Sequence, residues 1–272
     1  MNRNVAIYCE KIVQDILLIL FVSHANRCQN LTSSYQLVRR FPTMTLTLLA
    51  LLLFTAEATS AENQGDFAFA LDISSPLSLD GARCFKANLY PAVFLRFVTG
   101  LIVEVFMTPD PIGNETEQFD RLYSTLKYCG YNVRSVWLQI TSPINWPDRQ
   151  KHNVDFINRI IAKADGCGVV MGIYTNHYDW KEITGGAVSL EKAKLLWYWN
   201  VPNIGPHSED PSNFDNFRRF GPWKWPVAKQ FGQVEPVCGY IANRNIYIPS
   251  KVHIGSGIGK DISPHIGFIG LE

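Results

Sequence analysis

The sequence predicts an α/β fold, specifically an irregular (β/α) barrel of the TIM type. From Phe67 onward, short apolar runs alternate with amphipathic stretches. The runs are almost continuously apolar, which is typical of parallel strands that helices cover on both faces. Seven or so such runs within about 185 residues favour a closed barrel over an open sheet. The chain shows no glycine-rich phosphate loop, no G-x-S-x-G motif and no internal repeat.

Individual elements follow from apolar periodicity and from capping residues. Asn114 is a good helix cap because its side-chain oxygen can accept from free backbone N–H groups, and Gly130 ends that helix after Tyr128. Pro147 suits the first turn of a helix that runs to Gly166. Strands are predicted at 67–73, 92–98, 101–107, 134–140, 169–174, 195–199 and 227–231, and further helices at 78–89, around 180–183 and around 214–220.

The composition argues against two broad classes of protein, those that bind nucleic acid and those that are disordered. The 272 residues carry 25 Lys and Arg against 24 Asp and Glu, for a formal net charge of +1. This balance argues against a nucleic-acid partner, because no basic excess is present to neutralise a phosphate backbone. Aromatic residues make up 12% of the chain, which predicts a folded rather than a disordered protein.

An apolar run at 44–54 is followed by Ala56-Glu57-Ala58, a small-x-small cleavage pattern. The run is too short for a stable membrane anchor, so it predicts a secretory signal peptide and an extracellular protein. A buried helix at the front of the domain is the alternative reading. The predicted organisation is an N-terminal extension at 1–43, a signal peptide at 44–61, a globular domain at 62–249 and a C-terminal tail at 250–272.

Cysteine usage agrees with export. Cys84, Cys129, Cys167 and Cys238 follow the predicted signal peptide. They predict one or two disulfides, with three connectivities that spacing alone leaves open. Neither a C-x-x-C pair nor a histidine at ligand spacing is present, so no metal and no cofactor are predicted.

In a (β/α) barrel the functional groups lie at the carboxyl ends of the strands. Aromatic and hydroxyl groups dominate these predicted ends, as in clefts that stack against sugar rings and hydrogen-bond their hydroxyls. The candidate residues are Asp72, Ser74, Glu104, Gln139, Thr141, Tyr174, Trp197, Tyr198 and Asn243.

Five motifs now fall in a recognisable order: LDISSP at 71–76, VWL at 136–138, GIY at 172–174 with YDW at 178–180, LWY at 196–198, and the stretch 214–239. Together they resemble the secreted animal branch of the glycoside hydrolase family 25 lysozymes. The resemblance covers about 66–247. It implies an irregular barrel, a cleft for the bacterial cell-wall glycan peptidoglycan, a role in antibacterial defence and a monomeric protein.

The acidic residues of that family are mostly replaced. Its central strand ends Trp-Leu-Asp-hydrophobic-Glu, where the Glu is the general acid, whereas this chain ends in Gln139-Ile140-Thr141. A further family aspartate falls on Asn243, so only Asp72 remains of four acidic positions. Glycoside hydrolysis ordinarily needs two carboxyl groups flanking the bond. The replacements therefore predict a catalytically impaired centre.

The scaffold also departs from the family pattern. Between Val98 and Leu101 the family has roughly one more helix and strand, whereas here Thr99-Gly100 bridge the gap. Either the barrel closes with one unit fewer, or the coding sequence lacks a segment. Because strand number and shear are linked, closure of the barrel is at risk.

Three hypotheses follow. The first is a lysozyme-like protein that binds bacterial glycan without hydrolysing it. The second is an active lysozyme with rearranged acids, in which Asp72 and Glu104 form the carboxyl pair. The distance between these two carboxyl groups across an open cleft distinguishes the first hypothesis from the second, since it is ~5–9.5 Å in working hydrolases. The third is a non-functional product of a degenerate or mis-assembled gene.

Overall fold

A computed structural model describes residues 67–95, 102–193, 195–249 and 265–271. The predicted N-terminal extension, the signal peptide and the Thr99-Gly100 junction lie outside these residues. None of the described helices is long and apolar enough to cross a membrane.

Eight strands close into a barrel, which confirms the predicted fold class. Their order around the barrel is β1-β2-β3-β5-β6-β7-β8-β9. The strands are β1 (Ala68–Asp72), β2 (Ala92–Leu95), β3 (Ile102–Met107), β4 (Asn132–Val133), β5 (Ser135–Gln139), β6 (Val170–Thr175), β7 (Leu195–Trp199), β8 (Ala228–Val237), β9 (Tyr240–Tyr247) and β10 (His265–Ile266).

The short link between β2 and β3 does not open the barrel. The two strands pair directly and in parallel, with Ala92 opposite Ile102 and Leu95 opposite Val105. Only residues 96–101 join them, although parallel neighbours ordinarily need a connection of about a dozen residues or more. The predicted risk to closure is therefore not realised in the described part of the chain.

The last two barrel strands correct the prediction of an all-parallel sheet. β8 and β9 form an antiparallel hairpin, and β9 also pairs antiparallel with β1, which closes the barrel. The hairpin turns at Cys238 and Gly239, which have φ angles of 54° and 78°. Two consecutive positive φ angles match the right-handed twist of the strands, as a two-residue hairpin requires. β8 is also longer than the predicted strand at 227–231.

Four helices cover the described part of the barrel. Asn114 caps α2 as predicted, since its Oδ1 accepts from the backbone N–H groups of Thr116 and Glu117. The helix predicted from Pro147 begins three residues later. The helices are α1 (Leu79–Ala87), α2 (Glu115–Tyr128), α3 (Gln150–Gly166) and α4 (His177–Thr184), with a short 3-10 helix at Pro143–Asn145.

The predicted helix around 214–220 is wrong. This stretch belongs to an irregular connection between β7 and β8. The ammonium group of Lys229, fully buried on β8, donates to the backbone carbonyls of Pro211 and Asn213 and pairs with Asp210. These carbonyls satisfy a buried cation, so the connection is fixed by tertiary contacts rather than by helical hydrogen bonds.

The structure forms one bond of the predicted connectivities and excludes its companion, because Cys167 is free and does not pair with Cys129. Cys84 on α1 is bonded to Cys238 at the β8–β9 turn. Cys129 is also disulfide-bonded, whereas Cys167 is a free thiol. The Cys84–Cys238 bond therefore ties the first helix to the hairpin that closes the barrel.

Candidate functional site

Asp72 lies at the carboxyl end of β1 and is the centre of a network of amide side chains. Its side chain is buried, with 8% of the residue exposed. One carboxylate oxygen accepts from Asn243 Nδ2 at 2.7 Å, and the other from Gln230 Nε2 at 2.7 Å and Asn245 Nδ2 at 2.9 Å. The three donors come from the β8–β9 hairpin. They can stabilise a buried carboxylate without any cation.

Burial dominates the electrostatics of this network. It raises the pKa of Asp72 to about 6, although the bonds from Asn245, Asn243 and Gln230 act to lower it. Tyr174 on β6 donates its hydroxyl to Gln230 Oε1 at 3.1 Å. Burial, and the nearby charges of Asp72 and Asp179, raise the pKa of Tyr174 well above its usual value. Tyr174 therefore acts here as a neutral donor.

Gln139 and Thr141, at the predicted positions of lost acids, form a second and uncharged chain. The Thr108 hydroxyl donates to Gln139 Oε1 at 2.6 Å, and Gln139 Nε2 donates to the Thr141 hydroxyl at 3.0 Å. Neither group can carry a negative charge or donate a proton to a glycosidic oxygen near neutral pH. The end of β5 presents amide and hydroxyl groups only.

Asn243 is the third residue at a predicted position of a lost acid, and both its amide oxygen and its amide nitrogen form hydrogen bonds. Besides donating to Asp72, it accepts from the backbone N–H of Val234 at 3.0 Å. Val234 has a φ angle of 58°, a strained conformation for a β-branched residue. A carboxylate at position 243 could accept from Val234 but could not donate to Asp72. The asparagine is thus matched to its two partners.

Glu104 has partners entirely different from those of Asp72. It is fully buried on β3, where it accepts from the indole N–H of Trp137 and from the backbone N–H groups of Phe268 and Ile269. Burial raises its pKa to about 7. The rearranged-acid hypothesis needs Glu104 in an open cleft beside Asp72. The structure instead surrounds it with a C-terminal segment.

The aromatic candidates divide by the face of the strand on which they lie. Tyr174 and Trp197 lie inside the barrel, their ring centroids 4.2 Å apart, and Phe94 stacks on Trp197 at 3.9 Å. Trp197 is only 1% exposed, so it forms the floor of the site rather than an open sugar platform. Ser74 is exposed just beyond β1.

Tyr198 is not a cleft residue, which corrects the prediction. Successive side chains of a strand point to opposite faces, so Tyr198 lies outside the barrel while Trp197 lies inside. Its ring packs on Phe217, and its hydroxyl donates to Asn216 Oδ1 at 3.0 Å.

Four residues of the site were not predicted from the sequence. Gln230 and Asn245 hold Asp72, and only the hairpin pairing of β8 and β9 brings them there. Asp179 in the first turn of α4 is 4% exposed, and burial raises its pKa to about 6. The indole of Trp199, half-buried at the end of β7, lies beside it and lowers that pKa. Within the described residues, no group of three or more His, Cys, Asp or Glu side chains could hold a metal ion.

The chain is similar in sequence to proteins of known family. A family model described as lysozyme-like protein 1 matches residues 97–231. Lysozyme-like protein 1 of Caenorhabditis elegans is 41% identical over 209 residues, which cover 68% of this chain and 70% of the relative. A probable glycoside hydrolase family 25 lysozyme of Dictyostelium discoideum is 27% identical, over 65% of this chain and 89% of its own.

Solved structures show the same fold at low sequence identity. A muramidase from Acremonium alcalophilum matches with a TM-score of 0.52 and 17% identity, over 68% of this chain and 95% of its own. A family 25 lysozyme from Aspergillus fumigatus matches with a TM-score of 0.51 and 14% identity, over the same shares. The barrel fold and the nematode relatives agree. This chain belongs to the lysozyme-like proteins of glycoside hydrolase family 25.

Proposed function

We propose that this protein binds the glycan of bacterial peptidoglycan and does not hydrolyse it, acting as a secreted monomer in antibacterial defence. The observation that carries the proposal is the pairing of Asp72 with Asn243, Asn245 and Gln230 in place of a second carboxyl group. The uncharged Gln139–Thr141 chain adds to it. Such groups suit the hydroxyl and acetamido groups of neutral amino sugars.

Retention on insoluble peptidoglycan tests this function. We expect retention at low and high salt alike, because stacking and hydrogen bonds to neutral sugars do not depend on long-range charge. Trp199→Ala, which removes a half-buried ring at the mouth, should weaken binding by roughly fivefold to tenfold. Trp225→Ala is the matched control, since Trp225 precedes β8 at the opposite end and packs on Phe214 and Phe217. Absence of retention at either salt would favour the degenerate-gene hypothesis.

Secretion is a separate prediction. Disulfides such as Cys84–Cys238 form in oxidising compartments, which supports export of the protein. We expect the signal peptide predicted at 44–61 to be removed during that export. Mass spectrometry of the secreted protein should find an N-terminus near Thr59 or Glu62. Recovery of only a cytosolic chain that begins at Met1 would contradict it.

A further inference from the structure

The amino end of the barrel is closed by a C-terminal segment, residues 265–271. Its short strand β10 pairs in parallel with β4, and the N–H of Gly267 donates to the carbonyl of Val103 on β3 at 2.9 Å. Ile269 is 1% exposed within the barrel core. Gly267 has a φ angle of 83°, and a Cβ there would lie 2.4 Å from the backbone nitrogen of Ser135. The segment is therefore fitted closely against the barrel.

Glu104 anchors this segment from inside the barrel. Its Oε1 accepts from the N–H groups of Phe268 at 2.6 Å and Ile269 at 3.0 Å, while Oε2 accepts from Trp137 Nε1 at 2.9 Å. Among the described residues, no lysine or arginine forms an ion pair with it. A buried carboxylate without a cation depends on such donors, so two of its three bonds depend on the docked segment.

A continuous set of contacts joins this anchor to the candidate site. The ring of Trp137 meets that of Trp197 edge-on at 5.9 Å. Trp197 donates its indole N–H to Asn245 Oδ1 at 2.9 Å, and Asn245 donates to Asp72 at 2.9 Å. Every link is a buried ring contact or hydrogen bond with a defined direction. These contacts connect Trp137 to the donor that orients Asp72.

We propose that the C-terminal segment and Glu104 form a positioning device for the Asp72 site, in which docking of residues 265–271 fixes Trp137, Trp197 and Asn245. This inference concerns how the proposed glycan cleft is regulated, and it therefore rests on the proposed function. The positioning itself is measurable without any glycan. Glu104 is thus a positioning residue, not a reacting acid.

The device responds to pH. Burial raises the pKa of Glu104 to about 7, although the bonds from Phe268, Ile269 and Trp137 act to lower it. The charge of Arg134, just before β5, also lowers it. The facing group on β9 is Tyr247, whose pKa is raised to about 12 by burial and by Glu104. When the segment leaves, Glu104 meets water and its pKa falls toward the ordinary value. Docking therefore takes up a proton, and it weakens as the pH rises from the ordinary carboxyl pKa through about 7.

NMR of the tryptophan indole N–H groups tests the positioning. Glu104→Gln should shift the resonances of Trp137 and Trp197, assigned with Trp→Phe variants, and leave that of exposed Trp225 unchanged. Ile269→Ala, which weakens docking but keeps the Glu104 side chain and the N–H donor at position 269, should shift the Trp197 resonance in the same direction. An unchanged Trp197 resonance in both folded variants would overturn the proposal.

Limited proteolysis tests the pH response. Cleavage within the C-terminal segment should be at least about tenfold faster at pH 8 than at pH 5 for the unaltered protein, relative to a reference substrate. The rate should be nearly independent of pH for Glu104→Gln. Equal pH dependence in the two proteins would contradict the role of Glu104. If peptidoglycan retention fails while the Trp197 resonance still shifts, the proposed function falls and the positioning device stands.

Discussion

The purified protein is expected to leave bacterial cell walls intact, and the combined change Gln139→Asp, Thr141→Glu and Asn243→Asp is expected to produce lysis. General acid–base groups typically contribute about 10²- to 10⁴-fold to a rate. Thr141→Glu alone should do much less, because such groups act as a unit. Clearing of a turbid cell-wall suspension measures the effect.

Within that combined variant, Asn243→Asp changes the hydrogen bonding of Asp72. It removes the donor to Asp72 Oδ1 and places a second carboxyl group within hydrogen-bond distance of the first. Two such carboxyl groups share a proton, so we expect the combined variant to lyse best at acidic pH. Clear lysis by the unaltered protein that Glu104→Gln abolishes would contradict this view and support the rearranged-acid hypothesis.

Folding stability is expected to fall as pH rises from 5 to 8. Burial raises the pKa of Asp72 to about 6 and that of Glu104 to about 7. A carboxyl group with a raised pKa favours the folded state below its ordinary pKa, and this contribution is lost as pH rises through the raised value. Together the two groups should lower the free energy of unfolding by about 4 kcal/mol between pH 5 and pH 8.

The raised pKa values of Asp179 and Glu235 act in the same direction. Thermal unfolding at several pH values measures the effect, with a midpoint on the order of 10 °C lower at pH 8 than at pH 5. Glu104→Gln should make the difference smaller, because it removes one of the four contributing groups. A midpoint that rises toward pH 8 would contradict the raised pKa values of these buried carboxyl groups.

The sequence predicted the barrel because its strands are nearly continuous apolar runs, but it predicted neither β9 nor the antiparallel pairing of β8 and β9. The β8–β9 hairpin depends on the turn at Cys238-Gly239. Without that pairing, nothing in the sequence places Gln230 and Asn245 beside Asp72. The predicted helix around 214–220 failed for a related reason, because the contacts of Lys229 fix that stretch.

The candidate site was predicted in part. Asp72, Gln139 and Asn243 were placed by their strands and by the family resemblance. Tyr198 was misplaced because alternation along β7 permits only one of two adjacent aromatics inside the barrel. The partners of Glu104 could not be predicted, since they come from a C-terminal segment that lacks a strong apolar pattern.

The most direct test of a glycan-binding cleft without hydrolytic activity measures both properties in one sample. Purified protein is incubated with insoluble peptidoglycan, the pellet is assayed for bound protein, and the supernatant is assayed for new reducing ends. We predict that the protein sediments with the peptidoglycan and that no reducing ends form above background. Reducing ends that disappear with Asp72→Asn, or a protein that stays wholly in the supernatant, would contradict the proposed function.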